Sequence, residues 1–474
     1  MQTMRIFLAT ASALALAACA VGPNYKAPTP PQTASGKFVS TNTPAVTTAP
    51  VEGKWWRLYD DPVLDGLIAD ALAANTDLRV AVARLARARA ALREVRTDRL
   101  PEVGVSANPT YRRLPEIQTG PGVKREDWLL DGGLDVSYEV DLFGRITRDV
   151  EAARGDVAAA QADADAVRVS VVAETARAYA DAASAAERLA VAERIVSLLD
   201  RSLKLTDRRA QVGLTTRLDT ARIAALRNQR QAEVPSIAAE RDAALFRLAT
   251  LTGRAPADLP DVAKARTATL RLDKPIPVGD GAALLARRPD VRAAERRLAA
   301  ATARIGVATA DLYPRISLGA SIGSTGPNIS DVFGAGPLRW LLGPLISWSF
   351  TDQARARARI AGAEADTQAA LATFDGTVLR SLEETETALT GYAHMLDRRT
   401  ALQAARNEAE VAVRITRAQQ REGQIDSLAL LDSERTFAEA EAELALIDAQ
   451  IADAQITLFK ALGGGWEDAP PVKA

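Results

Sequence analysis

The sequence predicts an α+β membrane protein in which each chain supplies four β-strands and two long helical hairpins, the whole laid out as two copies of one unit. Three observations carry this. From Gly144 to Leu251 the helical pattern runs with almost no Gly or Pro punctuation. Four stretches of about ten residues switch to a period of two. A shift of 213 positions lays "TDLRVAVARLARARAALREVRTDRLPEVGV" on "PDVRAAERRLAAATARIGVATADLYPRISL" without a gap, matching Asp77 to Asp290, Arg84-Leu85-Ala86 to Arg297-Leu298-Ala299 and Pro101 to Pro314.

The chain begins with Arg5 and an apolar run, Ile6 to Ala18, too short to span a bilayer but suited to a signal peptide over 1–18. Cys19 is the only cysteine among 474 residues. "Leu16-Ala17-Ala18-Cys19" resembles the lipobox of bacterial lipoproteins, which implies a diacylglycerol on the thiol and an N-acyl group on the new N-terminus. A lone exposed thiol is a liability in an oxidising compartment, so lipidation also accounts for the absence of other cysteines. Ala20 is not the aspartate that retains many such lipoproteins in the inner membrane. Residues 19–61, rich in Pro, Thr, Ala and Val, read as a lipid-anchored N-terminal tether.

The first repeat spans 62–253. Apolar residues recur at three and four spacing from Pro62 until Pro101 stops the helix. Strands follow at about 101–112, with Val103 and Val105 on one face, and about 128–143, with Leu134, Val136, Tyr138 and Val140 on one face. A long helical hairpin comes next. Leu189, Val196 and Leu203 recur every seven residues with Ala192 and Leu199 between them, the seam of a coiled coil. A single helix over 145–211 would be on the order of 100 Å long at ~1.5 Å per residue. A linker, 254–279, leads to the second repeat, 280–466, whose strands fall at about 314–325 and 339–350; a tail, 467–474, closes the chain. A shift of 210 brings Gly213 onto Gly423, Leu218 onto Leu428 and Gly253 onto Gly463.

Strands of this length flanked by Trp128, Trp340 and Trp348 fit a membrane β-sheet. Four strands cannot close, and an open edge in lipid leaves backbone groups unpaired at several kcal/mol each, so further copies must complete the sheet. Two copies give eight strands and a filled barrel, three give twelve and an aqueous lumen. A small soluble sheet capping a coiled coil is the other reading of the same periodicity.

Charge and motif exclude much else. Lys and Arg number 59 against 60 Asp and Glu, a net charge of −1, which disfavours nucleic acid as a partner. The single histidine, His394, has no cysteine or second histidine to complete a metal set, and no nucleophile elbow or phosphate-cradling loop is present. "DLFGR" at 141–145 lacks the upstream motifs of a kinase and reads as a strand-to-helix turn at Gly144. No catalytic residue, metal or cofactor is expected, apart from the lipid on Cys19, and no enzyme.

The fragments "CAVGPNYKAP", "WWRLYDDPVLDGLIADALAANTDLR", "SYEVDLFGR", "RRPDVRAAERRLAAATARIGVATADLYPRISL" and "EGQIDSLALLDSER", in this order, resemble the TolC-like outer membrane efflux proteins, in particular the lipoprotein branch of OprM and NodT-like factors. The resemblance implies a homotrimer with a 12-stranded β-barrel in the outer membrane, continued by an α-helical coiled-coil barrel in the periplasm. It implies the exit duct of a tripartite efflux system, docked to a periplasmic adaptor and an inner-membrane pump of the resistance-nodulation-division class. The turns "QVGLTTRLD" and "REGQIDSLALLD" would be the adaptor-contacting tips, through Val212, Gly213, Leu214, Gly423 and Gln424. By the same resemblance Leu428, Asp432 and Arg435 would constrict the closed lumen, with Asp219 as a gate-linking carboxylate. Spacings of three and four put those three on one helix face. The branch commonly has a tyrosine where this chain has Gln420, which removes a phenolic bond from the gate. An exported, lipid-anchored coiled-coil adaptor or a structural envelope lipoprotein would share the leader, the lipobox and the heptads, but neither needs two hairpins and paired membrane-length strands.

Overall fold

The computed structural model describes residues 20–466 except 30, 42, 43, 121, 123, 329 and 331–337. The expected leader 1–18, the expected lipidation site Cys19 and the tail 467–474 lie outside the described residues. In chain order the elements are β1 Val46–Thr47, α1 Pro62–Ala74, α2 Thr76–Thr97, β2 Glu102–Arg113, β3 Glu126–Val140, α3 Arg145–Gln211, α4 Arg217–Leu251, the single turn α5 Asp261–Lys264, β4 Ile276–Pro277, α6 Gly281–Arg287, α7 Pro289–Ala310, β5 Arg315–Gly326, β6 Leu338–Ser347, α8 Gln353–Arg421 and α9 Ser427–Ala461. By contacts the chain divides into two units, one of Met1–Pro28, Arg84–Gln161 and Ala293–Asp375, the other of the intervening segments.

The first unit carries a four-stranded antiparallel sheet in the order β2-β3-β5-β6. The central pairing, β3 with β5, joins the two repeats and sets Leu134 opposite Ile322 and Val140 opposite Ile316. Because side chains alternate, the register sorts the sheet into two faces. One bears Val103, Val105, Tyr111, Leu134, Val136, Tyr138, Ile316, Leu318, Ile322, Trp340, Leu342 and Ile346, cross-strand neighbours rung by rung. The other bears Ser106, Asn108, Arg112, Asp127, Asp131, Asp135, Ser137, Ser317, Ser321, Thr325 and Arg339. The helices of this unit pack closely: a Cβ on Gly155 of α3 would lie 2.9 Å from the Ala300 side chain of α7.

The strand-to-helix turn at 141–145 is specified side chain by side chain. Gly144 takes φ +78°, which favours glycine. Asp141 caps α3 by accepting from the Ile146 and Thr147 amides at 3.0 and 2.8 Å, while Arg145 pairs with Glu139 at 2.8 and 2.9 Å.

The second unit holds the main core, where Trp55, Leu64, Ile68, Val172, Tyr179, Leu248, Ile276, Leu389, Ile451 and Phe459 are buried together. Trp55 stacks on Phe459 with ring centres 4.7 Å apart. Here the structure departs from the reading of 19–61 as an extended tether. Phe38, Val46, Val51, Trp55 and Trp56 are core residues, β1 pairs in parallel with β4 of the linker, and the Val39 and Ser40 amides donate to the Glu386 carboxylate at 2.6 and 3.0 Å. The apolar residues are spaced irregularly among prolines and threonines, so no periodicity announces them. The helical pattern after Pro62 is likewise interrupted. Asn75 ends α1 and caps α2 through its carbonyl oxygen, bonded by the Asp77 and Leu78 amides, while its amide nitrogen donates to Leu251 O at 3.1 Å. At the start of α1, Asp61 caps the helix and also receives Tyr179 and Arg266; burial, with that carboxylate, pushes the Tyr179 phenol up to about 12.

Candidate functional site

The two hairpin turns are built alike. α3 ends with Gly213 at φ +76°, its amide bonded to Ala210 O and the Leu214 amide to Arg209 O at 3.0 and 2.8 Å. α8 ends with Gly423 at φ +75°, with Gly423 bonded to Gln420 O and Gln424 to Gln419 O at 3.1 and 2.9 Å. Both are Schellman closures, in which a left-handed residue lets two amides fold back on the last carbonyls. A non-glycine residue would be strained at either point. Each turn then delivers an N-cap to the returning helix: Thr216 for α4 and Asp426 for α9.

Asp219 completes a capping box, accepting from the Thr216 amide and hydroxyl at 3.0 and 2.7 Å. The Thr216 hydroxyl, then its amide, hold this carboxyl below the usual carboxylate range. Of the residues named as adaptor contacts, Val212 and Leu214 are exposed apolar side chains, about 70% free in the single chain. Gln424 stands where the first turn has Leu214, so the two tips differ in polarity.

On α9, Leu428, Asp432 and Arg435 share one exposed face, and Arg435 donates to Asp432 at 3.1 Å. The opposite face is buried. Leu430 and Glu434 are each 4% exposed, and Ile195, Leu199 and Leu226 pack with Ala438 further along. Sequence reasoning missed Glu434. Its Oε1 accepts from Ser202 of α3 at 2.8 Å and from Arg417 of α8 at 3.0 and 3.2 Å, while its buried Oε2 has no hydrogen-bond partner. Alongside, Thr416 and Ser433 share a hydrogen bond at 2.8 Å, and Arg209 donates to Gln420 O at 3.3 Å. Gln420, at the position without a tyrosine, is 4% exposed and ties the turns through its backbone. "SERTF" does not by itself say which of its charges turns inward, so the sequence carried no local signal for Glu434.

The sheet's polar face holds a second ionic group. Arg339 of β6 reaches across β5 to Asp131 of β3 at 2.7 and 2.9 Å, with Thr325 on the same carboxylate at 2.7 Å. Glycines make the path: a Cβ on Gly323 would lie 3.1 Å from the guanidinium carbon. At the end of the sheet away from the helices, Tyr111 and Trp128 are in ring contact at 5.5 Å, and Trp348 lies at the other end. His394 is exposed, 3.9 Å from Asp397. Among the described residues no helix is long and apolar enough to cross a membrane, and no group of three His, Cys, Asp or Glu could hold a metal ion.

An amphipathic sheet with aromatic ends, joined to duplicated helical hairpins, is the arrangement of known outer membrane channels. The chain matches the Outer membrane efflux protein family over residues 67–254 and 282–464, one segment in each repeat. It is 31% identical over 462 residues to the outer membrane protein OprJ of Pseudomonas aeruginosa, covering 96% of this chain and 95% of that one. It is 29% identical over 477 residues to nodulation protein T of Rhizobium leguminosarum bv. trifolii, covering 97% of each. Among solved structures, the outer-membrane channel OprN superposes with a TM-score of 0.88 at 37% identity, over 95% of this chain and all of that one. The open state of the Neisseria gonorrhoeae MtrE outer membrane channel gives 0.82 at 28%, over 94% and 99%. Both repeats and nearly the whole length are covered, and the chain belongs to the TolC-like outer membrane efflux protein family, whose members are channel proteins.

Proposed function

We propose that three copies of this chain close their sheets into a twelve-stranded barrel and serve as the exit duct of a tripartite efflux system, passing substrates from periplasm to exterior. The observation that carries the reading is the four-stranded sheet with one apolar and one polar face and a single neighbour for each of β2 and β6. Its apolar face suits lipid, its polar face an aqueous lumen, and its edges ask for the same sheet from another copy. The family model's match to both repeats weighs against a coiled-coil adaptor or a structural envelope lipoprotein.

Energy for transport comes from an inner-membrane pump, of the resistance-nodulation-division class, reached through a periplasmic adaptor. Val212, Gly213, Leu214, Gly423 and Gln424 form the tips that the adaptor grips, with the exposed Val212 and Leu214 as the apolar part of the contact. Leu428, Asp432 and Arg435, on the face of α9 opposite the buried Glu434, form apolar and charged rings around the threefold axis and constrict the resting duct. Asp219 supports this gate from the neighbouring turn, through the cap that fixes the start of α4. Cys19 carries the lipid that adds an outer-membrane anchor.

Planar-bilayer recording of the purified oligomer tests the duct. Discrete channel events are expected, and their absence from intact oligomers would sink the reading. An Asp432→Ala, Arg435→Ala double variant should open more often or conduct more; unchanged conductance would remove these residues from the gate.

A further inference from the structure

The motif "VGPNY", one residue beyond Cys19, has the composition of a loose spacer, yet it is held from several sides. The Val21 amide donates to Phe143 O at 3.1 Å. Arg148 of α3, its side chain 6% exposed, donates through Nε to Val21 O at 3.2 Å and through Nη2 to Gly22 O at 3.4 Å and Asn24 Oδ1 at 2.7 Å. Its remaining nitrogen pairs with Glu151 at 2.8 Å. The Tyr25 hydroxyl donates to Glu295 of α7, and burial, with that carboxylate, raises the phenol's pKa.

The backbones touch. A Cβ on Gly22, at φ +88°, would lie 2.5 Å from Gly306 Cα, and one on Gly144 would lie 2.6 Å from Ala20. Ordering each of these residues costs conformational entropy that a free spacer keeps. Such a fit therefore asks for a reason. Its position supplies one: Phe143 and Gly144 join β3 to α3, Gly306 lies a turn before α7 gives way to β5, and Phe143 stacks on Tyr313 at 4.5 Å. This is the end of the sheet where the apolar face finishes in Val140, Ile316 and Ile346.

We propose that Ala20–Tyr25 is a registration clip, with Arg148 as its positioning residue, that fixes the point of lipid attachment beside the end of the sheet's apolar face. The inference rests on lipidation of Cys19 as read above. Acyl chains joined to the fold through one residue bring a single bilayer leaflet to the sheet at high effective concentration. Releasing the clip frees the chain as far as the buried Ala34 and Gly36, whose carbonyl accepts from the Gly281 amide at 2.9 Å, and dilutes that effect.

The test is a four-way comparison of wild type, Arg148→Ala, Cys19→Ser behind a leader cleaved without lipidation, and the double variant, in whole cells. Palmitate labelling reads the lipid and the appearance of heat-resistant oligomers reads assembly. Arg148→Ala should keep its label yet assemble about tenfold more slowly, in keeping with the loss of effective concentration. In the Cys19→Ser background the same change should alter the rate less than about twofold, because the two residues act as one device. Equal slowing in both backgrounds would make Arg148 a packing residue and overturn the clip, as would no slowing in the lipidated protein. Should Arg148→Ala misfold, Asn24→Ala removes one bond of the clip from outside α3 and is read by the same scheme. An unlabelled wild type would overturn the inference through Cys19, separately from the clip.

Discussion

At the scale of single residues, the tips are governed by caps. Asp219 is held below its ordinary pKa of 3.8 by Thr216, so its contribution is complete above that value and is lost as pH falls through the lowered one. Amide exchange in residues 212–219 should therefore accelerate on acidification below about pH 4 in the native protein, relative to its own neutral-pH rate after correction for intrinsic exchange. Asp219→Asn should flatten that dependence; an unchanged profile would deny the capping box its role. Such detail was half legible. The paired glycines announced the turns, and the resemblance placed a carboxylate at Asp219; its reciprocal bonds with Thr216, at capping-box spacing, are what the structure adds. Glu434 shows the opposite limit. Its burial depends on Ser202 and Arg417 arriving from helices far away in sequence, which no local pattern encodes.

At the scale of elements, alternation announced the strands, and register decides what each face does. Leu341 and Leu342 are adjacent on the edge strand β6 and similarly exposed, at 60% and 73%, but Leu342 belongs to the face of Val136 and Leu134, and Leu341 to that of Ser321 and Asp135. An arginine on a lipid-facing strand position near the bilayer midplane costs about 2–4 kcal/mol. Leu342→Arg should thus sharply lower the membrane-inserted fraction, measured by resistance to urea extraction, and Leu341→Arg should leave it near wild type. Equal loss in both would contradict the assignment of faces. The β2 strand is the weakest of the four by sequence because Ala107 and Pro109 stand on its apolar face between Val105 and Tyr111. Its pairing along β3 from Glu102↔Ser137 to Arg113↔Glu126 supplies the order that its own residues do not.

For the whole molecule, duplication explains most of the plan: hairpin answers hairpin, glycine answers glycine, and β3 meets β5 where the two copies join. What escaped the sequence is the material outside the repeats, since β1 has a partner only because the linker supplies Ile276 and Pro277. On the proposed closure of the sheets between copies, the strands rather than the lipid supply the membrane fit, so Cys19→Ser exported by a non-lipidating leader should still yield heat-resistant oligomers, more slowly. Complete loss of membrane association would show that the sheet does not insert.

The stack of Trp55 on Phe459 has a bearing on biogenesis. A chain that leaves the cytoplasm N-terminus first presents Trp55 early and Phe459 almost last, so this core cannot close until synthesis and export are nearly complete. Loop closure over such a separation is slow, and the waiting surface is aromatic. Until Phe459 arrives, the first half of this protein keeps that aromatic surface open, so chains truncated before Phe459 should be substrates for proteases rather than smaller channels.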